Sequence, residues 1–293
     1  MSRFASCLAL LLGVGCGDGA GPGEGGRPDA ALRDAGVRDA GAADGGAPDL
    51  SFVAVTFNSG TSENLSHDAP PEDGYGEAQA RISDTWYGDG LAWLPAVDAA
   101  RAFFAAVDPD VVVFQEIFHA PECAEIPEAH HAGFYCERWR EGEPTVARAI
   151  LPMGFQVACH LGKPDKCAAV HRRFGSFRGC DADLCLDGLD GAPVPDCGNG
   201  SRIGRGVIDL VGGGAITLVN VHATSGGTEA DRACRLAQVE QIFVDLDGAP
   251  AADGATNLVM GDFNTDPGRL RRTEPAAQRL WDFAGAVDAP FRF

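Results

Sequence analysis

The stretch LVMGDFNTDP, residues 258–267, places polar side chains directly after a short apolar segment. The apolar residues 258–260 predict the end of a buried strand, and Asp266-Pro267 then turns the chain. Side chains two residues apart in a strand point to the same side. We therefore expect Asp262 and Asn264 to present a carboxylate and an amide side by side at the end of this strand.

The rest of the chain predicts a mixture of hairpins and strand–helix alternation. The strand pattern occurs at residues 52–58, 111–115, 167–171, 206–211, 216–221 and 257–260, and the helical pattern at residues 91–107, 229–246 and 276–283. Residues 59–90 are polar and contain glycine and proline, which predicts a long surface loop, and residues 118–203 show little regular pattern. This arrangement favours an α/β (α+β) sandwich over a purely parallel sheet.

Three other predicted strands also end in polar residues. Asn58 ends FVAVTFN, Glu116 ends VVVFQE, and His222 lies in TLVNVHATSG. Taken singly, each has a simple explanation: a solvated residue after a strand, a turn cap at Asn58, or a hydrogen-bonded structural histidine. Four strand ends that deliver two carboxylates, two amides and an imidazole together indicate a functional site.

Four segments, TFN, QE, VNVH and GDFN, follow one another in that order between residue 51 and the C-terminus. In that order and spacing they resemble the endonuclease/exonuclease/phosphatase superfamily, which includes deoxyribonucleases, apurinic endonucleases, bacterial sphingomyelinases and inositol-polyphosphate phosphatases. The resemblance implies a four-layer αββα sandwich, in which helices flank two mixed β-sheets that pack face to face.

The same resemblance implies a metal-dependent active site. Glu116 would be the main ligand of a divalent cation, Mg²⁺ or else Mn²⁺ or Ca²⁺, with Asn58 and Asp262 beside it. Asp262 would also orient or deprotonate the attacking water. Asn264 would hydrogen-bond the phosphate, and His222 would contact the phosphate or help the leaving oxygen.

Arg205, in the segment GSRIGR, is the candidate for a further contact with the substrate. It would add positive charge beside the phosphate. An ordinary surface arginine explains it equally well.

These residues predict a metal-dependent phosphodiester hydrolase, foremost an extracellular or surface-anchored nuclease that acts on nucleic acid as a monomer. The alternatives are a sphingomyelinase-like phospholipid phosphodiesterase and a non-catalytic surface binding module on the same fold. The chain has no G-x-S-x-G elbow, which argues against a serine hydrolase. Gly162-Lys163 is followed by Pro164, which excludes a phosphate loop of the G-K-[ST] kind.

The net charge of the chain is −19. A chain this acidic does not hold a polyanion by non-specific phosphate neutralisation. If the substrate carries phosphate, bound cations must therefore supply the positive charge.

The N-terminus predicts export beyond the cytoplasmic membrane. Residues 1–16 carry Arg3 and an apolar run too short to span a bilayer, as in a signal peptide. LLGVGC resembles a lipoprotein box whose Cys16 would be acylated and anchor a cell-surface or outer-membrane lipoprotein, but Gly13 stands where such boxes carry Leu, so free secretion is the alternative. Residues 17–49 are rich in Gly, Ala and Asp and predict a disordered tether before the domain at residues 50–293.

Eight cysteines lie in the predicted domain. In an exported chain an even number predicts disulfides, with Cys180–Cys185 as the most local pair and Cys159–Cys167 next. A zinc site is the alternative, which the absence of a C-x-x-C motif disfavours.

The C-terminal part departs from the superfamily pattern, in which a Ser-Asp-His type motif completes the catalytic set. The last histidine here is His222, and neither Asp282 nor Asp288 is followed by histidine. Two explanations stay open: a C-terminally truncated reading frame, or a relative that binds without cleaving. We expect weak or absent hydrolysis from the sequence as it stands, because the missing imidazole has no substitute.

Overall fold

A computed structural model describes residues 51–60, 74–143, 145–198, 200 and 202–292. The predicted signal peptide at residues 1–16 and the predicted tether at residues 17–49 lie outside the described residues.

Nine strands within these residues form two mixed sheets. In chain order they are β1 (Ala54–Asn58), β2 (Val111–Gln115), β3 (Phe155–His160), β4 (Lys163–His171), β5 (Gly175–Phe177), β6 (Leu184–Leu189), β7 (Ile203–Leu210), β8 (Ala215–His222) and β9 (Asn257–Asp262). The first sheet has the order β1-β2-β4-β3-β6, and the second has the order β5-β7-β8-β9. The neighbours β1–β2 and β8–β9 are parallel, whereas β2–β4 and β7–β8 are antiparallel.

Helices cover the outer face of each sheet. They are α1 (Glu77–Trp86), α2 (Leu94–Val107), α3 (Val146–Ile150), α4 (Glu229–Phe243), α5 (Pro267–Leu270) and α6 (Pro275–Leu280), followed by a π-helical turn at Trp281–Gly285. Phe104 of α2 packs on the first sheet, and Ile242 of α4 packs on the second. In the part of the chain that the structure describes, no helix is long and apolar enough to cross a membrane.

The two sheets pack face to face between these helices. Val113 of the first sheet and Leu218 and Met260 of the second belong to one buried cluster between the sheets. Neighbouring residues point the other way, so that Val112 and Val219 pack beneath the helices. The predicted four-layer αββα sandwich of two mixed sheets is confirmed.

A buried polar bridge joins the two sheets near the ends of β2 and β8. Gln115 Nε2 donates to Asn220 Oδ1 at 2.7 Å, and both residues are fully buried. Asn220 Nδ2 in turn donates to the carbonyl oxygens of Phe114 at 3.0 Å and Cys167 at 2.8 Å. The bridge therefore fixes how the two sheets align directly below the residues that follow β2 and end β8.

The parallel pairs explain why the polar strand ends meet. Asn58 lies beside Gln115, the residue before Glu116, and His222 lies beside Asp262. Because parallel neighbours end at the same edge of a sheet, each pair delivers two of its polar ends together. Face-to-face packing then brings the two edges into contact.

The structure departs from the sequence predictions in two regions. The prediction of a surface loop at residues 59–90 is wrong for residues 77–86, which form α1. Ala80 and Ser83 of this helix are buried, and Ile82 and Trp86 pack against the core beneath the first sheet. Strands β3, β5 and β6 lie in the stretch at residues 118–203 that showed little regular pattern. Strand β7 begins at Ile203 rather than at residue 206.

The eight cysteines of the domain form four disulfides. The pairs Cys180–Cys185 and Cys159–Cys167 are confirmed. The others are Cys123–Cys136 and Cys197–Cys234. Because every one of these sulfurs is bonded to another sulfur, the alternative of a cysteine zinc site is wrong.

Candidate active site

The site is a contact between the two sheet edges, made by Asn58 and Glu116 of the first sheet and by His222 and Asp262 of the second. Asn58 Nδ2 donates to Asp262 Oδ2 at 2.8 Å and lies 3.4 Å from Glu116 Oε1. His222 Nε2 lies 3.0 Å from the same Glu116 Oε1. Four side chains predicted from separate strand ends are thus brought together.

Asn264 completes the group from the turn after β9. Its backbone N–H donates to Asp262 Oδ1 at 2.8 Å, and its side-chain Nδ2 donates to the carbonyl oxygen of Ala223 at 2.8 Å. Both oxygens of the Asp262 carboxylate therefore accept a hydrogen bond, one from Asn58 and one from Asn264. The expectation that Asp262 and Asn264 lie together holds in the structure, although the turn and not a straight strand arranges them.

Two residues of the site adopt the left-handed backbone region. Asn264 has φ 48°, which asparagine tolerates, and Glu116 has φ 59°, which is costly for a longer side chain. Residues held in such sparsely populated regions cost about 1–3 kcal/mol each and cluster at functional sites. At Glu116 this backbone allows its carbonyl oxygen to accept from Leu91 N at 2.9 Å while its side chain contacts Asn58 and His222.

The His222 ring is held in one orientation by its neighbours. The side chain is 8 % exposed, and its Nε2 faces the Glu116 carboxylate, which accepts hydrogen bonds but cannot donate them when ionised. Nε2 therefore carries the proton. Among the described residues, the buried Nδ1 atom has no hydrogen-bond partner. The ring thus contacts Glu116 through Nε2, while its Nδ1 forms no hydrogen bond with the described residues.

The residues fit a hard divalent cation. Two carboxylates, Glu116 and Asp262, converge on the Asn58 amide, and oxygen ligands of this kind suit Mg²⁺ and related ions that keep several waters. No group of three or more His, Cys, Asp or Glu side chains suited to a metal occurs in the described ranges.

Gly60 leaves room for the Glu116 carboxylate. A Cβ atom at residue 60 would lie 1.1 Å from Glu116 Oε2 and 2.3 Å from its Cδ. Any side chain there would displace the carboxylate. The Gly60 N–H also donates to Asn58 Oδ1 at 3.1 Å, so the same residue orients the amide that joins the two carboxylates.

Replacement of Gly60 with alanine is therefore expected to weaken Mg²⁺ binding by about 10–100-fold, the usual cost of disturbing the residues around a metal ligand. Mg²⁺ titration calorimetry and the Mg²⁺ dependence of turnover measure this effect. Gly212→Ala is the matched control, since a Cβ there meets nothing within 4 Å. Equal Mg²⁺ affinities of the two variants would contradict the assignment of Glu116 as a ligand.

The structure does not bring Arg205 to this group. Arg205 Nη2 lies 2.6 Å from Asp253 Oδ1, and its strand neighbour Val219 belongs to the cluster beneath α4. The contact between Arg205 and the substrate therefore stays a prediction, and the position of Arg205 beside Asp253 does not favour it.

Arg202, which the sequence reasoning missed, lies at the site instead. Its carbonyl oxygen accepts from His222 N at 2.9 Å, so its backbone lies directly beside His222, immediately before β7 begins. Its Nε is buried and has no hydrogen-bond partner among the described residues. Gly204 marks the inner face of β7, because a Cβ there would meet Lys166 and Leu189 between the sheets. Because side chains alternate between the two faces of a strand, residue 202 shares the inner face of residue 204, whereas residue 205 lies on the other face. This alternation would have predicted Arg202 rather than Arg205 as the arginine near the site.

Lys166 is a second cationic side chain on this side of the site. It is fully buried, and burial holds its pKa well below the usual lysine range, although the nearby Asp165 raises it. Arg202, whose guanidinium keeps its charge in proteins, is the stronger source of positive potential beside His222.

Comparison with known proteins identifies the family. The profile described as the Endonuclease/Exonuclease/phosphatase family matches residues 55–293, and the chain belongs to this family. Members of the family are hydrolases that act on phosphoesters, include nucleases and phosphatases, and generally depend on divalent metals. None of the curated proteins compared with the chain matches it significantly.

Solved structures with a similar fold have low sequence identity to the chain. Truncated Caenorhabditis elegans TDP2 is 16 % identical with a TM-score of 0.33, covering 60 % of this chain and 57 % of that one. ANGEL2, a 2',3'-cyclic phosphatase, is 14 % identical with a TM-score of 0.38, covering 65 % and 51 %. An endonuclease/exonuclease/phosphatase from Beutenbergia cavernae is 18 % identical with a TM-score of 0.38, covering 64 % and 50 %. The chain thus spans between 50 % and 57 % of the length of these structures.

Proposed function

We propose that the chain is a metal-dependent phosphodiesterase, and that it acts as a nuclease. The observation that carries this proposal is the convergence of the Glu116 and Asp262 carboxylates on the Asn58 amide, with His222 against Glu116. Structural ion pairs do not need two carboxylates that share one amide donor. Two carboxylates that converge on one amide repel each other, and a bound divalent cation would offset that repulsion.

Glu116 and Asp262 would hold the divalent cation. The Asn58 amide, whose Nδ2 donates to Asp262 and whose Oδ1 accepts from Gly60 N, would orient these carboxylates beside it. When bound, the cation supplies the positive charge that a chain of net charge −19 lacks for a phosphate substrate. The fit rests on the two carboxylates and on the space that Gly60 leaves for one of them.

The other groups have roles that follow from their positions. Asp262 is placed to accept a proton from the attacking water, since its two oxygens are oriented by Asn58 and Asn264. Nε2–H of His222, held against Glu116, orients the ring towards the phosphate. The second N–H of the Asn264 amide and the Arg202 guanidinium are suited to the phosphoryl oxygens.

Two further features support an exported enzyme that acts on nucleic acid. Four disulfides are typical of chains that fold in an oxidising compartment, in keeping with the predicted signal peptide and with surface anchoring through Cys16. The preference for nucleic acid over a phospholipid rests on Arg269 and Arg272, exposed arginines in the segment that follows Asn264, neither of which forms an ion pair with the described residues.

The test is an assay of purified protein on DNA, RNA, sphingomyelin and bis(para-nitrophenyl) phosphate with Mg²⁺, Mn²⁺ and Ca²⁺. We expect weak cleavage of DNA or RNA, and this cleavage should stop on chelation with EDTA. Turnover that survives full chelation would overturn the metal-dependent mechanism. Cleavage of sphingomyelin alone would replace the nuclease with a phospholipid phosphodiesterase, and binding of substrate without cleavage would favour a non-catalytic module.

A further inference from the structure

A pocket of about 300 Å³ opens beside the active site and shares Asn264 with it. Its other walls come from the loop before α4, the first turns of α4 and the turn after α5. The lining residues are Gly226, Gly227, Arg232, Arg235, Leu270, Thr273 and Glu274, together with Asn264. The catalytic group described above uses none of these residues except Asn264.

Arg235 is built into the wall of this pocket. Its side chain is only 4 % exposed, and its Nη1 donates to the carbonyl oxygens of Thr224 at 2.6 Å and Gly226 at 3.1 Å. Its Nε donates to Glu274 Oε1 at 2.5 Å. Within the described residues, its Nη2 forms no hydrogen bond. A guanidinium fixed in this way presents its remaining N–H groups without further loss of side-chain freedom.

Arg232 gives the pocket its excess positive charge. The Glu274 carboxylate is already satisfied, because Oε1 accepts from Arg235 and Oε2 accepts from Thr265 Oγ1 at 2.7 Å. Arg232 takes part in no ion pair with the residues that the structure describes. One acid and two arginines line the pocket, so its walls carry a net positive charge in a chain whose overall charge is −19.

The positive charge continues along the turn that forms the far wall. Arg269 and Arg272 flank the lining residues Leu270 and Thr273, and both are exposed. Neither forms an ion pair across the described part of the chain, whereas most of its exposed arginines do, Arg172 and Arg178 among them. The acidic surface thus has an arginine-rich strip that starts at the active site.

We propose that this pocket binds the phosphate next to the scissile one on a nucleic-acid strand, with Arg232 and Arg235 as the phosphate contacts. The inference rests on the proposed function and narrows it, because the site then selects substrates with consecutive phosphates. Asn264 stands between the two sites, so a strand that places one phosphate at Glu116 and Asp262 passes its neighbour into the pocket. A phospholipid with a single phosphodiester has no group for this position.

Arg232→Ala tests the proposal, with Arg81→Ala as the matched control. Arg81 is an exposed arginine of α1 whose ion pair with Glu77 spans 3.9 Å, so both variants lose one positive charge. We expect Arg232→Ala to lower the ratio of kcat/KM for a short single-stranded DNA to kcat/KM for bis(para-nitrophenyl) phosphate by about tenfold, the usual order for one charge-assisted phosphate contact. Arg81→Ala should leave this ratio unchanged. An unchanged ratio in Arg232→Ala would overturn the proposal.

Binding separates this inference from the proposed function. In an Asp262→Asn background, fluorescence anisotropy gives Kd for fluorescein-labelled single-stranded DNA over a range of salt concentrations. We expect Arg232→Ala to reduce the slope of log Kd against log salt by about 0.7, the value for one phosphate contact on a single strand. If no phosphoester is cleaved but this Arg232-dependent slope is found, the pocket stands and the enzyme assignment fails. If sphingomyelin is cleaved and the slope is unchanged, the enzyme stands and the pocket assignment fails.

Discussion

Replacement of Asp262 with asparagine is expected to lower kcat for phosphodiester hydrolysis about 10³-fold without unfolding the protein. The Asp262 carboxylate accepts hydrogen bonds from Asn58 Nδ2 and Asn264 N, each at 2.8 Å. Asparagine keeps the shape of the side chain but loses the charge that holds a cation and the basicity that accepts a proton. Steady-state rates on bis(para-nitrophenyl) phosphate measure the loss, and thermal melts measure stability.

Glu116→Gln is expected to act mainly on the cation, raising the Mg²⁺ concentration needed for half-maximal rate. Asp209→Asn is the control for both carboxylates, since it also removes one negative charge but lies in an exposed pair with Arg178. In metal-free protein, loss of either site carboxylate relieves repulsion between them, so neither variant should melt at a lower temperature. A lower melting temperature with unchanged turnover per folded molecule would show that these carboxylates have a structural role instead.

The sequence could predict which residues form the site, because each follows a strand whose apolar pattern is short and well bounded. Val111 to Phe114 are all fully buried, and the polar residue Glu116 follows directly. Which strand ends would meet required the topology as well, since Asn58 and Asp262 are far apart in sequence but lie 2.8 Å apart through their side chains. The resemblance to the family supplied that topology.

The sequence did not predict helix α1 or strands β3 and β6, because the local patterns in these segments are weak. Helix α1 is only ten residues long and polar on average, so its composition did not distinguish it from the polar loop around it. Strands β3 and β6 lie in a region that the disulfides Cys159–Cys167 and Cys180–Cys185 cross-link. Because these covalent bonds supply part of the stability there, the strands need a less regular pattern of apolar residues. Arg202 was missed because the predicted strand began at residue 206, whereas β7 begins at Ile203. The alternation of strand side chains was therefore not applied to residue 202.

The polar bridge between the sheets gives the largest expected effect on stability. Replacement of Asn220 with alanine is expected to lower the free energy of unfolding by about 3–5 kcal/mol, because it leaves Gln115 and two backbone carbonyls without their partner inside the protein. The lost bonds are those to Gln115 Nε2, to the Phe114 oxygen and to the Cys167 oxygen. Urea denaturation at equilibrium measures the change.

Asn257→Ala is the matched control for this prediction, since Asn257 lies on the neighbouring β9 and bonds only locally to Gly254 N and O, at 2.9 and 2.7 Å. We expect it to cost about 1 kcal/mol. Equal losses in the two variants would show that Asn220 does not join the sheets. If it does, Gln115→Ala combined with Asn220→Ala should cost less than the sum of the single variants.

Turnover should fall with Asn220→Ala as well, because Glu116 follows Gln115 directly and His222 lies two residues beyond Asn220, so the bridge aligns the two edges that form the active site.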